Sequence, residues 1–138
     1  MGLFNPVAGA VMAGAGGVAV TVIKASSTFI SIYGGNQSTT EEEVEIEMQF
    51  ASTMDLMYGY VSINDSNQPG NVIVLRVNGV DSDLLVDYGA GETGPKNDDT
   101  NSVAVASGAK VCYRLVNNDD GSAGTRNVIF QIGVHRII

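Results

Sequence analysis

Tryptophan is absent from this chain, and histidine and cysteine each occur once. Each shortage closes off some chemistry. With no tryptophan, five tyrosines and four phenylalanines, a sugar-stacking cleft has little to be built from. A single cysteine, Cys112, permits no intramolecular disulfide and leaves the redox compartment undetermined. Between Val111 and Tyr113 it reads as a small, inert core residue. A Ser-His-Asp or Cys-His catalyst would have to use His135, at the edge of the last predicted strand, where histidine is more often a solvent or interface residue. Zinc held by the usual Cys/His clusters is excluded by count. Lys and Arg total seven against fifteen Asp and Glu, for a net charge of −8. Seven scattered cations make nucleic acid a poor partner, since phosphate binding needs them clustered. Charged residues are only 16% of the chain, below the usual quarter or so. No apolar pattern at helical spacing and no fixed-period repeat is present.

What remains is suited to β-structure. The 138 residues fit one domain that buries about two-thirds of its unfolded surface. The centre of the pattern is Val72 to Val116. Ile73, Leu75 and Val77 alternate with Val74 and Arg76 up to Asn78-Gly79, the strongest short hairpin signal because both turn positions need positive φ. Asp83 to Tyr88 is the predicted return strand. The polar, Gly-rich stretch 89–102 is expected to run across the surface. Short strands follow at Val103 and at Lys110 to Val116.

Residues 1–24 read as a separate Gly/Ala-rich arm preceding a sandwich over 25–138, with a first strand from Val18 to Ile23. There is no charge from Pro6 to Ile23, yet no basic leader region either. Gly9, Gly14, Gly16 and Gly17 make a membrane helix a poor fit, so no membrane partner is expected. An arm of this composition could hardly fold alone. It is expected to lie along a neighbouring subunit, anchored by Leu3, Phe4, Val7, Val11 and Met12.

Thr28 to Tyr33 is a predicted strand. In Glu41 to Phe50, Val44, Ile46, Met48 and Phe50 alternate with Glu43, Glu45, Glu47 and Gln49, which predicts a strand with one packed face and a solvated row of glutamates. Ser52 to Asp55 reads as a turn. Leu56 to Ile63 is apolar on both faces apart from Ser62, as suits a mid-sheet strand or one against another subunit. Met57, Tyr58 and Tyr60 are therefore the expected subunit contacts. The last strand, from Asn127 to His135, should face Val128, Phe130, Ile132 and Val134 inward. About nine short strands separated by polar loops at 64–71, 89–102 and 117–124 imply an all-β, jelly-roll-type antiparallel β-sandwich of eight or nine strands.

Oxygen ligands that could suit calcium occur at Asp81 and Asp83, Asn97 to Asp99, and Asn117 to Asp120. No stretch has the EF-hand pattern, and turns use the same residues for their own backbone bonds. No metal or cofactor is expected. Gly89, Gly91 and Gly94 have the spacing of a dinucleotide fingerprint, but Pro95, Asn97 and two aspartates follow instead of an amphipathic helix.

The segment from Val77 to Val116 resembles small jelly-roll modules of bacteriophage virion proteins. The likeness lies in the Val77-Asn-Gly79 hairpin, the loop Gly91-Glu-Thr-Gly94, the strand Asp99-Thr-Asn-Ser-Val-Ala-Val105 and the turn and strand Gly108-Ala-Lys-Val-Cys-Tyr-Arg114. Many such modules have Gly-Asp where this chain has Gly108-Ala109. The resemblance implies a trimeric sandwich, similar in outline to the tumour-necrosis-factor and C1q type, displayed on a capsid or fibre and without catalytic residues. The expectation is a non-enzymatic virion structural protein, a capsid decoration or minor capsid or fibre component bound to its own copies and to neighbouring subunits. Two other classes stay open: a carbohydrate- or receptor-binding module at a fibre tip, using the three polar loops as a rim, and a filament subunit whose arm completes the next subunit's sheet.

Overall fold

A computed structural model describes residues 10–14, 20–23, 26–33, 36–122 and 126–137. The described strands, in chain order, begin with β1 (Ala10–Gly14), β2 (Val20–Ile23), β3 (Ser26–Ile30) and β4 (Gln37–Ser38). After a short 3-10 turn at Glu41–Glu43 come β5 (Ile46–Glu47), β6 (Ser52–Asn64), β7 (Asn71–Val77) and β8 (Val80–Tyr88). The chain finishes with β9 (Gly94–Asp98), β10 (Val103–Val105), β11 (Lys110–Asn117) and β12 (Asn127–Ile137).

These make two antiparallel sheets. In the first, β12 lies beside β6, and each carries two short strands end to end along its far side: β1 and β2 on β12, β9 and β10 on β6. In the second the order is β4-β3-β11-β7-β8, with β5 sharing the β3 side of β11. Counting each end-to-end pair once leaves four strand positions per sheet (β4 is a two-residue addition at one edge). The last strand of each sheet slots between two early ones, which is the nested double hairpin of a jelly roll. The expected sandwich is therefore present.

Its core comes from alternation. Val128, Phe130, Ile132 and Val134 on β12 all face inward and are buried, as predicted. They meet Ile73 and Leu75 of β7, Leu84, Val86 and Tyr88 of β8, and Val111, Tyr113 and Leu115 of β11 in one cluster. The Asn78-Gly79 hairpin has φ of 51° and 78°, as a two-residue turn of this hand requires. Asn78 also extends the ladder onto β11, since its N–H donates to Lys110 O and its Oδ1 accepts from Lys110 N–H.

Four expectations are corrected. Ser52 to Asp55 is not a turn but the start of β6. Bulges opposite His135/Arg136 and Ile129/Phe130 insert extra residues into β6, so its period of two breaks twice and its outer face collects apolar residues. Glu41 to Phe50 is not a strand. Because β3 already occupies β11 from Tyr113 onward, only Lys110 and Val111 remain for β5; Phe50 ends 65% exposed. Stretch 89–102 contains β9, with Pro95 tolerated because β9 is a sheet edge. Finally, the arm is not wholly separate from the sandwich. Val11 and Met12 in β1 pair with Arg136 and His135 of the same chain, and the expected first strand, found at Val20–Ile23, pairs with Asn127 to Phe130. Leu3, Phe4 and Val7 lie outside the described residues.

Gly59 sits on the inner face of β6, where a Cβ would stand 2.8 Å from Ile73 Cδ1 and 3.0 Å from the Tyr88 hydroxyl. Overpacking of this kind typically costs about 1–3 kcal/mol. Gly59→Ala should lower the urea unfolding free energy by about that much. Gly133→Ala, whose added methyl would lie 3.8 Å from Tyr58, should change it by less than about 0.5 kcal/mol.

Candidate functional site

Alternation on β6 turns Met57, Gly59 and Val61 into the core and leaves Tyr58 and Tyr60 on the outer face of the first sheet. The ladder fixes their neighbours. Tyr58 stands between Asn97 of β9 and Gly133 of β12, and Tyr60 between Pro95 and Gln131. These residues line a shallow depression of about 670 Å³. Gly133 contributes no side chain, so the Tyr58 ring can lie over β12. Each tyrosine is 44% exposed, far more than a core aromatic.

No charge is presented at the centre of this face. Lys96 also lines the depression, but its ammonium is drawn away. Its Nζ donates to Glu92 Oε2 and to the Asp87 carbonyl, each at 2.8 Å, and lies 5.3 Å from the centre of the Tyr88 ring. Of the three expected contact residues, Tyr58 and Tyr60 are thus on one surface. Met57 is fully buried in the core, so it is a packing residue and not a subunit contact. Asn97, Gln131 and Gly133 join the site only through strand register. Asn97 came from a stretch that looked like loop, and Gln131 and Gly133 lay among the outward positions of the last strand.

The outer face of the second sheet is charged. Arg76 binds Glu41 through two bonds, Nε to Oε1 at 2.7 Å and a terminal nitrogen to Oε2 at 3.0 Å, and also pairs with Asp81. Asp81 in turn accepts from Arg114 at 2.8 Å. Cys112 opens onto this face, where burial, with Glu41 beside it, pushes its thiol up to about 12. Its strand lies in the second sheet and that of His135 in the first, so the two are not neighbours in a ladder.

At one end of the sandwich the three polar loops are tied to one another. Asn64 Nδ2 donates to the carbonyls of Gly89 and Glu92, at 3.0 and 2.8 Å. Asn71 Oδ1 accepts from Asn118 N–H, and Asn117 Nδ2 donates to Val22 and Arg126 carbonyls. Asp119 accepts from the Asn67 and Gly121 N–H groups and from Arg126. Burial alone would raise the Asp119 carboxyl, but these donors hold it below its ordinary value. The same balance acts at Asp98, whose donors are Asn101, Leu85 and Thr100. Hydrogen bonds from Ser122 and Asn67 bring Asp120 to about 2. The oxygens considered for calcium at Asp98, Asp119 and Asp81 are therefore engaged by N–H groups and guanidinium groups. Among the described residues no group of three or more His, Cys, Asp or Glu is placed to hold a metal ion, and no helix is long and apolar enough to cross a membrane.

No family model matches the sequence, and no curated protein matches it. Among solved structures, the chain is similar to the Podospora anserina GH26-CBM35 β-(1,4)-mannanase, at 14% identity and a TM-score of 0.43. The match covers 92% of this chain and 27% of the mannanase chain, so this chain spans about a quarter of that protein's length.

The lowered carboxyls have a consequence with a definite sign. A carboxyl depressed in the folded state adds stability above its unfolded value, and that stability is lost as pH falls through the folded one. The urea midpoint should therefore be flat above pH of about 5 and fall between about 4 and about 2. Asp98→Asn and Asp119→Asn should each make that fall shallower when unfolding is followed at several acid pH values.

Proposed function

We propose that this chain is a non-enzymatic structural subunit of a virion, a capsid decoration or minor capsid or fibre component, which associates with other copies of itself through the outer face of the first sheet. The observation that carries the reading is the contrast between the two outer faces. One bears two half-exposed tyrosines among Asn97, Gln131, Pro95 and Gly133; the other bears Arg76, Arg114, Asp81 and Glu41. Copies that each carry a charge of −8 repel, so lasting contact favours the depression around Tyr58 and Tyr60, whose lining holds no carboxylate among the described residues. Tyrosine suits such a contact because it buries a large apolar ring while its hydroxyl keeps a polar partner. A stable contact removes about 800 Å² per partner from water, which the width of a four-position sheet can supply. The virion setting and the trimer come from the resemblance carried by Val77 to Val116. The proposal places no contact on Leu3, Phe4 or Val7.

One observation favours a second reading. Two tyrosines flanked by the amides of Asn97 and Gln131 also suit the apolar face of a sugar ring, which tyrosines can stack against while amides bond its hydroxyls. The polar loops first considered as a glycan rim spend much of their donor and acceptor capacity on one another. A glycan would therefore sit on the tyrosine face.

Sedimentation equilibrium separates the readings. The wild-type chain should be an oligomer, and Tyr58→Glu should weaken association about a hundredfold or more while thermal unfolding of the monomer stays cooperative. A wild-type monomer at high concentration, with glycan-array binding lost in Tyr58→Ala, would replace the first reading by the second.

A further inference from the structure

Residues 39–45 join β4 to β5 and cross the outer face of the second sheet. They are anchored at both ends, by Ser38 and Gln37 on β3 and by Ile46 and Glu47 on β11. Between those anchors the segment makes a single 3-10 turn, with Val44 N–H donating to Glu41 O at 3.0 Å. A turn this short has little stability of its own. At the β4 end, the Ser38 hydroxyl donates to Glu43 Oε2 and accepts from Thr40 N–H, while the polar hold on the middle strands β7 and β11 is narrow. Glu41 forms the two-bond pair with Arg76, and Glu45 Oε2 stands 3.9 Å from Lys110 Nζ. Arg76 is itself fixed from the other side by Asp81 and the Gly79 carbonyl, with its guanidinium 5.7 Å from the centre of the Phe29 ring. One half of the clamp is therefore rigid, and the other half is one glutamate on a short turn.

Three buried apolar side chains on this side of the sheet are not part of the core between the sheets. Val74 and Cys112 alternate with inward-facing neighbours and so point outward, yet they are 2% and 0% exposed; Val44 of the segment is 3% exposed. None of the three belongs to the inter-sheet cluster. Cys112 Sγ is 3.6 Å from Glu41 Oε1, the oxygen that also receives Arg76 Nε.

We propose that residues 39–45 are a strap held shut by Glu41 on Arg76, and that its release uncovers Cys112 while the sandwich stays folded. The strap opens as a local unit because the core residues behind it keep their partners in both sheets. Met48 is the nearest such residue along the chain; it is buried in the inter-sheet cluster and exchanges backbone bonds with Gly108 and Ala109, so opening stops there. The inference is independent of the tyrosine face on the other sheet.

Because Cys112 is the only cysteine, its labelling by an aromatic disulfide reagent reports opening directly. Glu41→Gln should speed labelling about tenfold or more in native buffer, with a labelling rate that hardly depends on low urea. It should also speed cutting by a Glu-specific protease at the exposed Glu42 and Glu43, and leave global unfolding cooperative. Glu45→Gln, which removes only the long contact, should change both rates less than about twofold. Arg76→Lys, which keeps the charge but loses the two-bond fork, should fall between the two. Faster labelling without faster cutting would mean that Glu41 only shields the thiol, and the strap would be wrong. Labelling in Glu41→Gln that rises steeply with urea, in step with global unfolding, would overturn it as well.

Discussion

The structure depends on the antiparallel pairing of β6 with β12. These two long strands are the middle of the first sheet, and every other strand of that sheet is a short piece laid along one of them. Their inner faces supply Met54, Met57, Val61, Phe130, Ile132 and Val134 to the core, and their outer faces carry Tyr58, Tyr60, Gln131 and Gly133. The sheets approach closely because one inward position of β6 is empty. At Gly59 the Tyr88 ring of the opposite sheet reaches in, and its hydroxyl donates to the Gly94 carbonyl on the neighbouring β9. A buried tyrosine hydroxyl needs such a partner. One glycine thereby sets both the sheet spacing at this point and a link between the sheets.

The edge where β8 meets β9 is closed by side chains. Along β8, Asp98 takes up the Leu85 N–H, and Lys96 takes up the Asp87 carbonyl. An edge strand with free N–H and C=O groups invites another chain to pair with it, and here Asp98 and Lys96 of β9 blunt it. The Asn and Asp side chains of the loop end act similarly. Each replaces a missing backbone partner, which is why the stretches richest in metal-like oxygens form a structural lattice.

Much of the fold was legible because periodicity and turn chemistry are local. The hairpin at Asn78-Gly79, the inward set on β12 and the strand at Lys110 all follow from a few neighbouring residues. The misreadings were set by distant ones. Whether Glu41 to Phe50 could extend depended on how much of β11 was already taken by β3. Whether Gly94 to Asp98 became a strand depended on β6 offering an edge to a segment rich in Pro, Asn and Asp. The bulges in β6 sent Met57 inward from a run whose two faces looked equally apolar. The site was half visible for the same reason. Tyr58 and Tyr60 could be picked from their own strand, but their companions Asn97 and Gln131 are placed by register across β9 and β12, and no local pattern encodes register.

The distribution of charge follows from the same asymmetry. In the first sheet, Tyr58, Tyr60, Gln131 and Gly133 on the middle strands give the outer face an uncharged centre, with Asp55 at the bulge of β6 to one side. In the second, Arg76 and Arg114 stand on adjacent strands β7 and β11, and two like charges that close would repel. Asp81 lies between them and accepts from both, and Glu41 completes the neutralisation of Arg76. The acidic turn over this face therefore completes the charge balance of the sheet beneath it. Glu41, the first residue of the segment read as a strand, is 13% exposed and paired, because that segment is folded across a charged sheet. The excess negative charge then falls on strand edges and turns such as Glu42, Glu43, Asp83 and Asp87, all exposed. Copies in contact around Tyr58 and Tyr60 would keep those groups turned to solvent.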